Sequence, residues 1–259
     1  VSVYKLTQNK KPLVAGNLII TYPDGRVLDF NKNISTLVAS RPKTITRIRQ
    51  RDLYTFKGRD GYTAIDNGTD EANEIDVEIT VIAKNEDEFE KTLNVLDNLR
   101  LYTNLRFHFY HDPYAEYEGM IESIELQGGR QYKSSQKGTL KLRLQPARYP
   151  FVSQRVYTLS NGDSFQYDFG QLKPIFELSG SGDIQITADE VITLKAVPSG
   201  ETLYIDSLVQ KIYSKPSPNT YRNQSHLKYT YPYPVLPSGQ RIKWSGEVTS
   251  LKVTPNWRL

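Results

Sequence analysis

The sequence predicts a mainly β protein of two domains, an N-terminal antiparallel β domain carrying one α-helix and a C-terminal β-sandwich or jelly roll. Three observations predict it. The texture is that of strands, with 18 Tyr and an apolar content of 38%. A single convincing helical pattern occurs, in the first half only. Beyond Pro150, short extended segments recur every 8–12 residues between Gly/Pro turns, the pattern of a sandwich. A length of 259 residues suits two domains at roughly 150 residues each. The boundary falls at Gln145-Pro146-Ala147-Arg148-Tyr149-Pro150, where two prolines are expected to stop strand pairing. The expected domains are therefore 1–147 and 148–259.

The elements follow in order. Pro23-Asp24-Gly25 separates Asn17–Tyr22 from Arg26–Phe30 and predicts a short hairpin, since Pro presets φ and Gly accepts φ > 0. Thr44–Arg51 and Leu53–Lys57 look extended, and Gly58-Arg59-Asp60-Gly61 reads as a tight turn. It lacks the spacing of a phosphate-binding loop. Residues from Gly61 to Asn73 are polar and are expected to form a loop. Ile75, Val77, Ile79 and Val81 alternate with Asp76, Glu78 and Thr80, a strand with one buried face. Asn85 and Glu88 have the spacing of a capping box, opening a helix whose stripe is Phe89, Leu93, Leu96 and Leu99. Strands follow at Leu105–Phe109, Met120–Leu126 and Leu140–Leu144.

In the C-terminal half the expected strands are Ser164–Phe169, Pro174–Leu178, Asp183–Thr187, Val191–Ala196, Thr202–Asp206, Leu208–Tyr213 and Val248–Trp257. Turns are expected at Gly180-Ser181-Gly182, Pro198-Ser199-Gly200 and Pro237-Ser238-Gly239.

Several chemistries are excluded. Without cysteine there is no disulfide framework, thiolate zinc site or Cys nucleophile. His108 and His111 are read as surface residues at a strand exit, three apart and so on opposite faces. No Gly-x-Ser-x-Gly occurs, and the adjacent carboxylates lie in segments read as solvated. Expectation: no catalytic, cofactor-binding or metal-binding residues, and no enzymatic activity. No apolar run approaches the roughly 20 residues of a membrane helix, so no membrane insertion is expected. The N-terminal VSVYKLTQNKK has no signal-peptide apolar core, which suggests synthesis in the cytoplasm. A net charge of +4 is too small and too dispersed for a dedicated nucleic-acid surface.

Two features point to binding. From Arg41 to Arg59 there are seven basic residues and one acid, whereas from Asp70 to Glu90 there are nine acids and one base. This polarity suits a head-to-tail interface between copies, with Arg47, Arg49, Arg51 and Arg59 on one flank and Asp76 and Glu78 on the other. Neutralisation within the chain is the alternative. Separately, Tyr229, Tyr231, Tyr233 and Trp244 could form an aromatic platform for a partner or a glycan, or cover the end of the core.

The run from the basic strand through Gly58-Arg59-Asp60-Gly61 to Ile75–Val81 and one helix resembles the ring-forming domain of distal tail proteins from siphophages of Gram-positive hosts. Pro174–Gly180, Glu201–Asp206, Val235–Gly239 and Val248–Leu259 are similar, in that order, to the galectin-like second domain of that family. The resemblance implies a homo-hexameric ring at the distal end of the virion tail. Its expected partners are the tail tube protein, a tail-associated baseplate protein and receptor-binding proteins, with DNA passing only in transit. It implies no catalytic residues or cofactor. A carbohydrate-binding module is the alternative reading.

Overall fold

The computed structural model describes residues 1–43, 49–58, 60–127, 135–217, 220–227 and 233–259, with the side chains of 67, 68 and 217 left aside. The chain forms two compact units, Lys10–Arg148, and Val1–Asn9 together with Tyr149–Leu259. The sequence reading placed the first nine residues with the N-terminal domain. Instead, Val3–Lys5 pairs in parallel with Ser164–Gln166, and Leu6 lies in the core of the C-terminal unit. Tyr4 anchors the segment, its ring 5.0 Å from Tyr157 and 5.4 Å from Phe165.

The Lys10–Arg148 unit is a seven-stranded sheet in the order Val27–Asp29, Leu18–Thr21, Leu105–Phe109, Ala115–Leu126, Ser135–Pro150, Asn73–Ile82, Thr36–Val38. From the edge strand Thr36–Val38, the Val38 N–H donates at 2.8 Å to the carbonyl of Gly16, two residues before Leu18–Thr21. The alternation expected over Ile75–Val81 is realised: Ile75, Val77, Ile79 and Val81 are buried, and their strand pairs antiparallel with Ser135–Leu144. Pro146 does not end that partner strand, which continues to Pro150; its pairing with Asn73–Ile82 stops at Leu144, so the proline takes no place in that ladder.

The Glu86–Leu99 helix packs on this sheet through Phe89, Thr92, Leu96 and Leu99, with Leu93 half-buried. Asn85 caps it by accepting the Glu88 N–H at 2.8 Å. Glu88 reaches back one residue further than a standard capping box, to the Lys84 N–H at 2.8 Å, and also accepts from the Ser35 hydroxyl at 2.9 Å. These bonds hold its carboxyl below the usual range. A one-turn helix, Phe30–Asn33, was not expected; Asp29 caps it by accepting the Lys32 N–H.

In the C-terminal unit, the segments expected as two strands around a Gly180-Ser181-Gly182 turn form one continuous strand, Ile175–Thr187. It runs beside Lys243–Thr254, and the pairing shifts register after Ser179 and again after Ser181. The glycines are used for this kink instead of a reversal. A Cβ on Gly180 would lie 2.4 Å from the Glu247 carbonyl oxygen. Gly246, at φ +96°, approaches the Asp183 carbonyl equally closely. Before the kink the long strand pairs with Thr202–Asp206, and after it with Val191–Val197, so one strand takes two partners in succession. Phe176, Leu178, Ile184, Ile186, Leu203, Ile205 and Trp257 fill the space enclosed.

Candidate interaction surfaces

The largest departure from the sequence reading lies between residues 49 and 70. The segment expected as a polar loop contains a strand, Thr63–Asp70, which pairs antiparallel with Arg49–Tyr54. Among the described residues the two make a separate two-stranded sheet that is joined to no other strand. Gly58 and Gly61, both with positive φ, lie at its turn. All six residues of Arg49–Tyr54 are exposed. Leu53, Phe56, Tyr62 and Ile65 are each more than half exposed, Tyr62 at 67%. An isolated two-stranded hairpin is marginal in water; because Leu53 pairs with Ala64 and Ile65 with Asp52, Leu53 and Ile65 stand on opposite faces of it.

Arg49 and Arg51 stand on this hairpin. Arg49 Nε lies 2.8 Å from Asp66, and its Nη1 lies 3.3 Å from Asp70, so its charge is met on the neighbouring strand; the two acids hold its pKa up. Asp76 and Glu78 are elsewhere, on the outer face of Asn73–Ile82, opposite Lys141 and Thr139 in register. Next to them Glu74 pairs with Arg143 at 2.5 Å. Part of the charge polarity read from the sequence is thus neutralised within the chain. Arg47 and Arg59 fall outside the described residues.

The expected platform of Tyr229, Tyr231, Tyr233 and Trp244 is not assembled among the described residues. Tyr233 is buried in the core, and Trp244 is half-buried against it, with its backbone tied to the Asn161 carboxamide. Tyr229 and Tyr231 lie outside the described residues. An aromatic row does exist on a different face. The register runs Lys252, Glu177, Tyr204, Tyr213, Asn223 across five adjacent strands. Because Phe176, Leu178, Leu203, Ile205 and Ile212 point inward, the row points outward. Tyr204 and Tyr213 stack at 5.4 Å and 9°, and Tyr221 meets Tyr213 edge-on at 5.4 Å. Lys215 Nζ sits 4.5, 5.7 and 5.4 Å from the centroids of Tyr204, Tyr213 and Tyr221, so one ammonium ties the three rings together. Burial, with Asp206 nearby, pushes the Tyr213 hydroxyl up to about 12. The signal for this row was present: Leu203-Tyr204-Ile205 and Ile212-Tyr213 alternate in the sequence.

His108 and His111 are not surface groups. His108 is buried, and His111 is half-buried with its ring 5.3 Å from Phe109. Burial holds both imidazoles below their usual pKa. Close by, the Tyr117 hydroxyl donates to Asp112 at 2.7 Å and Arg148 donates to the same carboxylate at 3.1 Å, a structural ion pair at the end of the sheet. Among the described residues no group of three His, Asp or Glu is placed to hold a metal ion, and no helix is long and apolar enough to cross a membrane.

Two β units in one chain, the first with a helix on a seven-stranded sheet and a separate hairpin, make the fold of solved phage baseplate chains. The SPP1 Dit (gp 19.1) protein, described as a paradigm of hub adsorption apparatus in Gram-positive infecting phages, matches with a TM-score of 0.61 at 14% identity, over 91% of this chain and 97% of its own. A chain of the phage p2 baseplate in its activated conformation with Sr matches at 0.59 and 8% identity, over 92% of this chain and 97% of that one. The corresponding structure with Ca gives 0.55 at 7% identity, over 92% and 96%. No protein-family model and no curated protein matches the sequence. The resemblance read from the sequence therefore holds at the level of the fold.

Proposed function

We propose that this chain is a structural hub of a bacteriophage tail tip, a distal tail protein assembled as a homo-hexameric ring. The single observation that carries the reading is the whole-length likeness, over 91% of this chain and 97% of the other, to a protein described as an adsorption hub. The exposed hairpin supports it: Leu53, Phe56, Tyr62 and Ile65 are apolar groups on a hairpin that no other strand joins among the described residues. Covering each fully would contribute about 1.5–3 kcal/mol. In this reading the Lys10–Arg148 unit is the ring-forming belt around a channel through which DNA passes. The hairpin of one copy lies on the next copy, with Arg49, Arg51, Asp76 and Glu78 setting register at the margins. The galectin-like C-terminal unit carries baseplate and receptor-binding partners. The tail tube protein is the partner on the other side, and the protein resides at the distal end of the virion tail.

Native mass spectrometry and negative-stain images of the purified chain, alone and mixed with its tail tube protein, test this. A six-membered ring in either sample is the expected result. A chain that stays monomeric in both, and that cross-linking finds without like neighbours in the virion, overturns the proposal.

A further inference from the structure

The outward row of the C-terminal unit ends in a concavity of about 380 Å³, within the size range of small-molecule sites (roughly 300–1,000 Å³). Tyr213, Tyr221 and Asn223 line it together with Asp206, Val209, Lys211 and Ile212. Sequence explains the shape. Asp206 begins a tight connection between Thr202–Asp206 and Lys211–Ser217, accepting the Leu208 N–H at 2.9 Å and the Val209 N–H at 3.1 Å through one carboxylate oxygen. That connection makes a wall beside the tyrosines. Asp206 and Lys211 sit opposite each other in register, so an acceptor and a cationic donor flank the same opening.

The hydrogen-bonding inventory matches one ligand class. Among the described residues, the second carboxylate oxygen of Asp206 makes no hydrogen bond. The Asn223 side-chain oxygen is used by the Ser225 N–H at 3.0 Å, while its NH₂ donates to nothing described. The Lys211 ammonium makes no ion pair among them either. One acceptor and two donors therefore border an aromatic face. Tyr221 is 62% exposed yet is positioned by its edge contact with Tyr213 and by Lys215. A purely apolar ligand would leave the polar groups at the rim without partners. A pyranose satisfies both halves: its C–H face lies on the negative face of a tyrosine ring, and its equatorial hydroxyls donate to a carboxylate and accept from an amide and an ammonium.

We propose that the concavity formed by Tyr213, Tyr221, Asp206, Lys211 and Asn223 is a binding site for a hexopyranose. The inference rests on the C-terminal unit alone and is independent of ring formation. The site is open on one side and holds one sugar ring, so affinity for a monosaccharide is in the millimolar range, about 1 mM or weaker.

The test is titration of the isotopically labelled full chain with methyl β-D-glucopyranoside, methyl β-D-galactopyranoside and N-acetylglucosamine, followed by amide chemical-shift changes. At least one sugar is expected to shift the amides of Asp206–Lys211 and Tyr221–Asn223 saturably. Tyr221→Ala, at an exposed position, should keep the spectrum of a folded protein and weaken binding by more than about tenfold. Tyr221→Phe should keep affinity within about threefold, because the ring face and not the hydroxyl makes the contact. Trp244→Ala should leave binding unchanged. The proposal is overturned by the absence of saturable shifts with all three sugars, by full binding in Tyr221→Ala, or by equal losses in Tyr221→Phe and Tyr221→Ala. A site elsewhere is shown if Trp244→Ala abolishes binding.

Discussion

Two consecutive β segments of the same unit make opposite use of apolar residues. Asn73–Ile82 places Ile75, Val77, Ile79 and Val81 on one face and buries all four. The hairpin just before it, Arg49–Asp70, carries Leu53, Phe56, Tyr62 and Ile65 in the open. Strand geometry is common to both, so the difference lies in what stands against the face. The first strand is held by its own unit, with a partner strand on each side, Ser135–Pro150 and Thr36–Val38, and a packed interior beneath. Among the described residues the second has one partner strand, and all six residues of Arg49–Tyr54 are exposed. Regular alternation signals a face covered by the same chain. On the hairpin the exposed apolar residues follow no such alternation.

The sharpest way to break this contrast is to shorten one apolar side chain on each element. Ile79→Ala should cost about 2–5 kcal/mol in urea unfolding, from lost burial and the cavity left behind. Ile65→Ala in the isolated chain should stay within about 0.5 kcal/mol of the parent. Equal losses at the two positions would show that the hairpin is packed against its own chain. The double variant Phe56→Asp with Ile65→Asp carries the comparison into assembly. Sedimentation should show self-association weakened by more than about tenfold, with the melting temperature of the monomer retained. An unaltered assembly would remove the hairpin from the interface.

A smaller effect tests how the buried element is held. Asn85→Ala should cost about 1 kcal/mol, since the Glu88 N–H it serves loses its acceptor. The smallest effect concerns pH. His108 and His111 have pKa values lowered by burial, so the unfolded chain takes up protons at higher pH than the folded one. Their contribution is therefore present above the ordinary histidine value of 6.5 and is lost as pH falls through it toward the depressed folded values. Unfolding curves between pH 7.5 and about 5 should show a decline that His108→Gln diminishes.

Much of the architecture was legible. The Pro23-Asp24-Gly25 hairpin, the Ile75–Val81 alternation and the Asn85 cap are local signals whose physics is complete within a few residues, and each is realised as read. Signals that need a distant partner were misread. Gly180-Ser181-Gly182 has the composition of a turn, and only the approach of Glu247 and Asp183 backbone makes it a kink. Pro150 and Pro146 look like a stop, yet one strand runs through to the second of them. The tyrosines were counted but assigned by closeness in sequence, whereas Tyr204, Tyr213 and Tyr221 meet through register across three strands.

By itself the sequence determined the β class, the single long helix with its cap, and which residues face inward wherever one chain covers its own strands. Period and capping are properties of neighbouring residues, so no tertiary knowledge was required. Only the tertiary structure decided that residues 63–70 form a strand, that Arg49 meets Asp66 and Asp70, and that the aromatic row ends in a concavity. Those outcomes depend on pairings between strands, and the free energy of such a pairing is shared by residues that no local window contains.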